Sequence, residues 1–123
     1  MRNAALVDDD PVELVILSGL AESIDQPWTF TRFSSVEDFI DASAATRFDV
    51  LFLDRRVPPH SRFEDSVAIV EQSGFEGHVV LLTNHRVGTK RPASKLNVLG
   101  PYEKMDIQEP EALEALLGGQ APG

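Results

Sequence analysis

Cysteine is absent from the 123 residues of this chain. Disulfides and thiolate metal sites are therefore excluded, and the chain does not require an oxidising compartment. Long apolar runs are also absent, and the N-terminus lacks a basic region followed by an apolar stretch, so nothing supports secretion or membrane insertion. We expect a soluble, cytoplasmic protein with no membrane partner.

Basic residues are scarce, with 11 Lys and Arg against 20 Asp and Glu, which gives a formal net charge of −9. An acidic surface repels a phosphate backbone, so we expect no nucleic-acid partner. The length suits a single domain, residues 1–123, and a domain of this size buries roughly two-thirds of the surface that its unfolded chain exposes. A core can therefore form without cross-links.

Apolar runs of strand length alternate with segments of helical periodicity along the chain. The predicted strands cover residues 3–7, 28–33, 48–54, 78–83 and 98–103. The predicted helices cover residues 11–24, 34–46, 63–72 and 109–117. This alternation predicts a doubly wound α/β fold with a parallel sheet, helices on both faces, and ligands at the carboxyl ends of the strands.

Two helix starts carry capping signals. Asp10 precedes Pro11 and stands three residues before Glu13, which predicts a helix cap at Asp10. Ser34 stands three residues before Glu37, the spacing of a capping box. Periodicity predicts that one face of the first helix is formed by Val12, Val15, Ile16, Gly19 and Leu20.

Polar side chains follow four of the predicted strands. Asp8 and Asp9 come after the first strand, Asp54 ends the third, Thr83 ends the fourth, and Lys104 follows the fifth. Since the carboxyl ends of parallel strands meet at one rim, we expect these residues to share a site.

Three carboxylates at one rim repel one another unless a cation or a proton offsets their charge. Mg²⁺ is the natural partner because it takes oxygen ligands and is usually held by one or two carboxylates plus a phosphate oxygen. Lys104 and Thr83 would then stabilise the oxygens of a transferring phosphoryl group. We expect Asp54 to be the nucleophile, because it ends a central strand that holds it rigidly.

Four motifs occur in the order and approximate spacing of a known family. They are VDDDP near the N-terminus, FDVLFLD with Pro58 four residues after its aspartate, LLT, and a lysine about twenty residues later. Over residues 4–117 the chain resembles the receiver domain of two-component response regulators. The resemblance implies a flavodoxin-like fold with a five-stranded parallel sheet of order 2-1-3-4-5.

The resemblance also implies roles for the residues at the rim. Asp54 would accept a phosphoryl group from a sensor histidine kinase or a histidine phosphotransfer protein, and Thr83 and Lys104 would contact that group. Mg²⁺ would be held by Asp8, Asp9, Asp54 and the backbone carbonyl of Arg56.

The sequence departs from the family pattern before and within the last strand. Residues 84–100 have few apolar side chains and contain Gly88 and Pro92, so we expect the fourth helix to be shortened, displaced or replaced by a loop. The aromatic residue of the family is replaced by Pro101. Tyr102 lies one residue later. Because one residue along a strand reverses the face of the sheet to which a side chain points, we expect Tyr102 to point to the opposite face.

The expected function is that of a stand-alone response regulator that acts through protein contacts. It would be an intermediate in a phosphorelay, a sink that drains phosphoryl groups from a kinase, or a switch that binds a downstream protein target. It would assist only its own phosphorylation and dephosphorylation. An alternative is a degenerate receiver that binds a partner without phosphorylation, which Asn84 and Met105 support. A metal-dependent phosphatase is disfavoured, because Arg56 occupies the position where such an enzyme needs an acid.

Overall fold

The computed structural model describes residues 2–8, 10–24, 27–54, 63–83 and 94–122. Within them, five strands form one parallel sheet in the order β2-β1-β3-β4-β5. The strands are β1 (Arg2–Val7), β2 (Trp28–Phe33), β3 (Val50–Asp54), β4 (His78–Thr83) and β5 (Val98–Glu103). The α-helices are α1 (Pro11–Ala21), α2 (Val36–Ser43), α3 (Phe63–Gln72) and α4 (Pro110–Leu117), and a 3₁₀ turn spans Lys104–Ile107. The predicted flavodoxin-like fold and its strand order are confirmed.

Two apolar layers cover the sheet, because successive side chains of a strand point to opposite faces. The α1/α4 layer contains Leu6, Phe52, Val80 and Leu82 from the strands, with Leu17, Leu113 and Leu116 from the helices. The α2/α3 layer contains Val7, Leu53, Val79 and Leu81 from the strands, with Phe39, Phe63 and Val67 from the helices. Strands buried on both faces explain the nearly continuous apolar runs of β3 and β4.

The segment before β5 was predicted to lack a normal fourth helix. Residues 84–93 lie outside the described residues, and residues 94–97 contain no helix. The Ser94 hydroxyl donates a hydrogen bond of 2.6 Å to the Glu71 carboxylate at the end of α3. This bond and one from the Lys95 N–H lower the pKa of Glu71, and they attach the approach to β5 to α3.

Helix α1 turns a different face to the sheet than its apolar spacing predicts. Glu13, Leu17 and Ala21 are buried, whereas Val12 and Val15 are exposed. The predicted face is therefore wrong. Apolar side chains lie around most of the circumference of this helix, so periodicity alone does not select the face that packs on the sheet. In the structure, Leu17 fills the space above the sheet.

The helix caps follow the predictions in part. The Asp10 carboxylate accepts a hydrogen bond of 3.0 Å from the Val12 N–H, which confirms Asp10 as the cap of α1. The cap of α2 is Ser35, whose hydroxyl accepts from the Asp38 N–H at 3.1 Å. Ser34 was predicted as the cap, but α2 begins one residue later than that spacing requires, at Val36.

Strand β5 contains a bulge at Gly100. Val80 pairs with Leu99 and Leu82 pairs with Tyr102, so β5 has one more residue than β4 in this interval. The extra residue returns Tyr102 to the α1/α4 layer, on the same face as Leu99. The predicted reversal of the face of Tyr102 is therefore wrong, because strand alternation does not hold across a bulge.

We predict that Gly100→Ala lowers the unfolding free energy by about 2 kcal/mol or more. Gly100 has φ +99°, and an added Cβ would lie 2.8 Å from the Leu81 carbonyl oxygen. Gly19→Ala is the matched control, because no atom lies within 4 Å of the Cβ added there, inside α1. Urea unfolding of both variants measures the difference. Equal destabilisation would contradict the strain assigned to Gly100.

Candidate functional site

Two carboxylates occupy adjacent positions where β1 and β3 end. Val7 pairs with Leu53 in the parallel register, so Asp8 and Asp54 are the next positions on neighbouring strands. The Asp8 N–H continues the ladder with a hydrogen bond of 3.1 Å to the Phe33 carbonyl oxygen. Neighbouring strands lie about 4.8 Å apart, so the two backbones hold these side chains close together.

Lys104 joins the two carboxylates. Its Nζ lies 2.7 Å from Asp8 Oδ2 and 3.3 Å from Asp54 Oδ1, and all three side chains are largely buried. Burial disfavours the ammonium, but the hydrogen bond to Asp8 and the charge of Asp54 outweigh it and raise the pKa of Lys104. We call these three residues the carboxylate–lysine cluster.

Thr83 lies at the same rim. It ends β4, where Asp54 pairs with the preceding residue Leu82, and it is buried. The structure thus joins three of the predicted site residues, Asp8, Asp54 and Lys104, through ion pairs, and it places Thr83 at the end of the strand next to that of Asp54. The predicted metal ligands Asp9 and Arg56 lie outside the described residues.

Two further groups hold Asp8 in place. The Asp10 N–H donates a hydrogen bond of 2.9 Å to Asp8 Oδ1. The Arg32 guanidinium in β2 donates one of 2.9 Å, through Nη1, to the Asp8 backbone carbonyl. The sequence prediction did not identify Arg32, because a single arginine in an edge strand carries no motif.

Glu13 also belongs to this region, and the sequence prediction did not assign it to the site. Glu13 is 5% exposed, and its Oε1 atom is buried with no hydrogen-bond partner among the described residues. Burial raises the pKa of Glu13, the charge of Lys104 lowers it, and the charge of Asp8 adds to the rise. The sequence signal that could have identified Glu13 as buried is its spacing, because Glu13, Leu17 and Ala21 follow one another at intervals of four residues.

The donor set of the cluster suits a hard divalent cation. Asp8 and Asp54 offer carboxylate oxygens at one point, where their charges already attract the Lys104 ammonium. In the described part of the chain, no three carboxylate or imidazole side chains are arranged to hold a metal ion on their own. His78 lies elsewhere, at the start of β4, with Nε2 2.7 Å from the Leu116 carbonyl oxygen.

Comparisons with known proteins were made for sequence and for structure. No protein-family model and no curated protein sequence matches the chain. Among solved structures, the receiver domain of the stress response regulator RcsB from Escherichia coli, in its non-phosphorylated form, is similar. It has a TM-score of 0.75 and 20% sequence identity, and the match covers 98% of this chain and 95% of that one. This chain has the receiver-domain fold.

Other solved structures share this receiver-domain fold. The RcsB response regulator of Salmonella typhimurium matches with a TM-score of 0.74 and 20% identity over 98% of this chain, which spans 61% of that chain. TrrA from Thermotoga maritima, solved in complex with Mg²⁺-BeF, matches with a TM-score of 0.57 and 17% identity, over 70% of this chain and 72% of that one. None of the helices in the described ranges is long and apolar enough to cross a bilayer.

We predict that Lys104→Met lowers the unfolding free energy by about 3 kcal/mol at pH 7 in a chelating buffer, because it leaves the buried Asp8 carboxylate without its ammonium. Lys95→Met removes an exposed lysine and serves as the control. Urea unfolding gives both values. If the two variants unfold at the same urea concentration, the ion pair does not stabilise the fold.

Proposed function

We propose that this protein accepts a phosphoryl group on Asp54 and thereby acts as a response regulator. One observation carries the proposal. The Asp54 carboxylate ends the central strand β3 with the Lys104 ammonium 3.3 Å away, at the rim where Thr83 ends the neighbouring strand. A rigid carboxylate beside a largely buried cation is what an aspartyl nucleophile requires.

The transfer step needs little more than these groups. A carboxylate oxygen of Asp54 forms a bond to phosphorus while the bond between phosphorus and the donor's histidine nitrogen breaks, and the imidazole leaves. The Lys104 ammonium stabilises the charge on the phosphoryl oxygens, and the Thr83 hydroxyl donates a hydrogen bond to one of them. Hydrolysis of the acyl phosphate by water later regenerates the Asp54 carboxylate.

Mg²⁺ fits the carboxylates of this site. Asp8 and Asp54 would hold it, with Asp9 and the Arg56 carbonyl as predicted ligands outside the described residues. When bound, the ion neutralises charge on the phosphoryl group and on the acidic rim. The similar TrrA structure was solved in complex with Mg²⁺-BeF, which supports this proposal by analogy.

The surface beside the site suits a protein donor. Val15 on α1 is 70% exposed and Met105, next to Lys104, is 80% exposed, and Val12 is exposed as well. Helix α1 and the 3₁₀ turn that contains Met105 begin just after β1 and β5, respectively, at the acidic rim of the sheet. Apolar side chains exposed beside a reactive group favour docking of a protein, for which we propose a histidine kinase or a histidine phosphotransfer protein.

We predict that incubation with Mg²⁺ and a small phosphodonor yields a phosphoryl adduct on Asp54. Mass spectrometry should detect an adduct that is acid-stable and base-labile in the wild type and in Asp106→Ala, the control for an exposed acid near Lys104. Asp54→Ala should show none. A wild-type protein without adduct would contradict the proposal and favour the degenerate receiver that binds its partner without phosphorylation.

We predict that Val15→Glu slows phosphotransfer from the protein donor about tenfold or more, while labelling by the small phosphodonor stays unchanged. The added charge is placed at the proposed docking surface, where desolvating it opposes binding. Ala45→Glu adds the same charge at an exposed residue after α2 and should transfer normally. Equal transfer rates in both variants would move the docking surface away from α1.

A further inference from the structure

We propose that Glu13 is an additional residue of the cation site, where its carboxylate accepts hydrogen bonds from water molecules that the divalent cation retains. This role rests on the proposed binding of that cation by Asp8 and Asp54. Glu13 would be a positioning residue, because it acts on the ion through water.

The first observation is the isolation of a buried oxygen. Glu13 is 5% exposed, and its Oε1 has no hydrogen-bond partner in the described part of the protein. Buried carboxylate oxygens in folded proteins are almost always hydrogen-bonded, because an unsatisfied one loses its hydration without compensation. The burial of this oxygen therefore requires a hydrogen-bond donor, and the described residues do not supply one.

The second observation is the side of the sheet on which Glu13 lies. It belongs to the buried face of α1, together with Leu17 of the α1/α4 layer. Leu6 and Phe52 point into the same layer, and strand alternation gives the same direction to Asp8 and Asp54, two residues further on. Glu13 thus faces the side of the sheet on which both carboxylates lie.

The third observation concerns the capping of α1. In a capping box the glutamate at this position accepts a hydrogen bond from the N–H of the cap residue. Here the Asp10 N–H donates instead to Asp8 Oδ1 at 2.9 Å. The Glu13 carboxylate therefore does not accept the capping hydrogen bond at the start of α1.

The charge balance favours a cation as the source of the missing donors. Among the described residues, Lys104 is the one ammonium that contacts Asp8 and Asp54, and its charge and theirs also act on the Glu13 carboxylate. A divalent ion would offset the excess negative charge, and the water molecules on Mg²⁺ are strong donors. In the described part of the chain, no three carboxylate or imidazole side chains are placed to bind a metal ion directly. A contact of Glu13 with the ion through water agrees with this finding.

Mg²⁺ binding by the full chain, measured by isothermal titration calorimetry, tests the role. We expect Glu13→Gln to weaken Mg²⁺ binding about tenfold or more, the usual effect of losing a group that orients metal ligands. Glu22→Gln removes the same charge from an exposed position next to the C-terminal end of α1 and should bind like the wild type. Glu13→Asp keeps the charge but retracts the carboxylate by one methylene group, so it should bind more weakly than the wild type as well.

Thermal unfolding separates this role from a structural one. In a chelating buffer, Glu13→Gln should be at least as stable as the wild type, because it removes a buried charge whose Oε1 has no hydrogen-bond partner in the described ranges. Added Mg²⁺ should stabilise the wild type more than Glu13→Gln.

Two results would overturn the inference: a wild type that does not bind Mg²⁺, or equal affinities of the wild type and Glu13→Gln. The inference and the proposed function can fail separately. If the wild type is phosphorylated on Asp54 while Glu13→Gln binds Mg²⁺ normally, only the role of Glu13 is lost. If Glu13→Gln weakens Mg²⁺ binding but no adduct forms on the wild type, only the phosphoacceptor function is lost.

Discussion

The site depends on the ion pairs that the Lys104 ammonium forms with two carboxylates. Asp8 and Asp54 lie at adjacent positions of neighbouring parallel strands, where two buried carboxylates repel each other. Lys104 contacts both, at 2.7 and 3.3 Å, and joins the ends of β1 and β3 to the end of β5. Asp8 and Lys104 are separated by 96 residues, so only the completed sheet can form this contact.

The same contact links stability to the proposed chemistry. The charges that raise the pKa of Lys104 keep it protonated, and a protonated lysine is what a phosphoryl group on Asp54 would meet. Among the described residues, this rim still carries more carboxylates than ammonium groups, and Glu13 adds a buried oxygen that has no hydrogen-bond partner there. Such a site is expected to reduce the stability of the free protein while it favours the binding of a cation.

Much of the fold could be predicted from the sequence, because the physical signals are local. The bounds of β2, β4, β5 and α3 agree with the apolar runs and the helical periodicity from which they were predicted. Doubly wound topology then placed Asp8, Asp54, Thr83 and Lys104 at one rim, because parallel strands end on the same side of a sheet. The helix cap at Asp10 followed from its position before Pro11.

By itself, the sequence determined the order of the elements along the chain and the residues at the carboxyl rim of the sheet, since strands that are buried on both faces appear as long apolar runs. Only the tertiary structure decided which side of α1 meets the sheet, because that helix is apolar around most of its surface. It also placed the bulge at Gly100 and directed the Asp10 N–H to Asp8 rather than to Glu13. Each of these outcomes is a competition for space or for a hydrogen bond among residues brought together by folding, which spacing along the chain does not record.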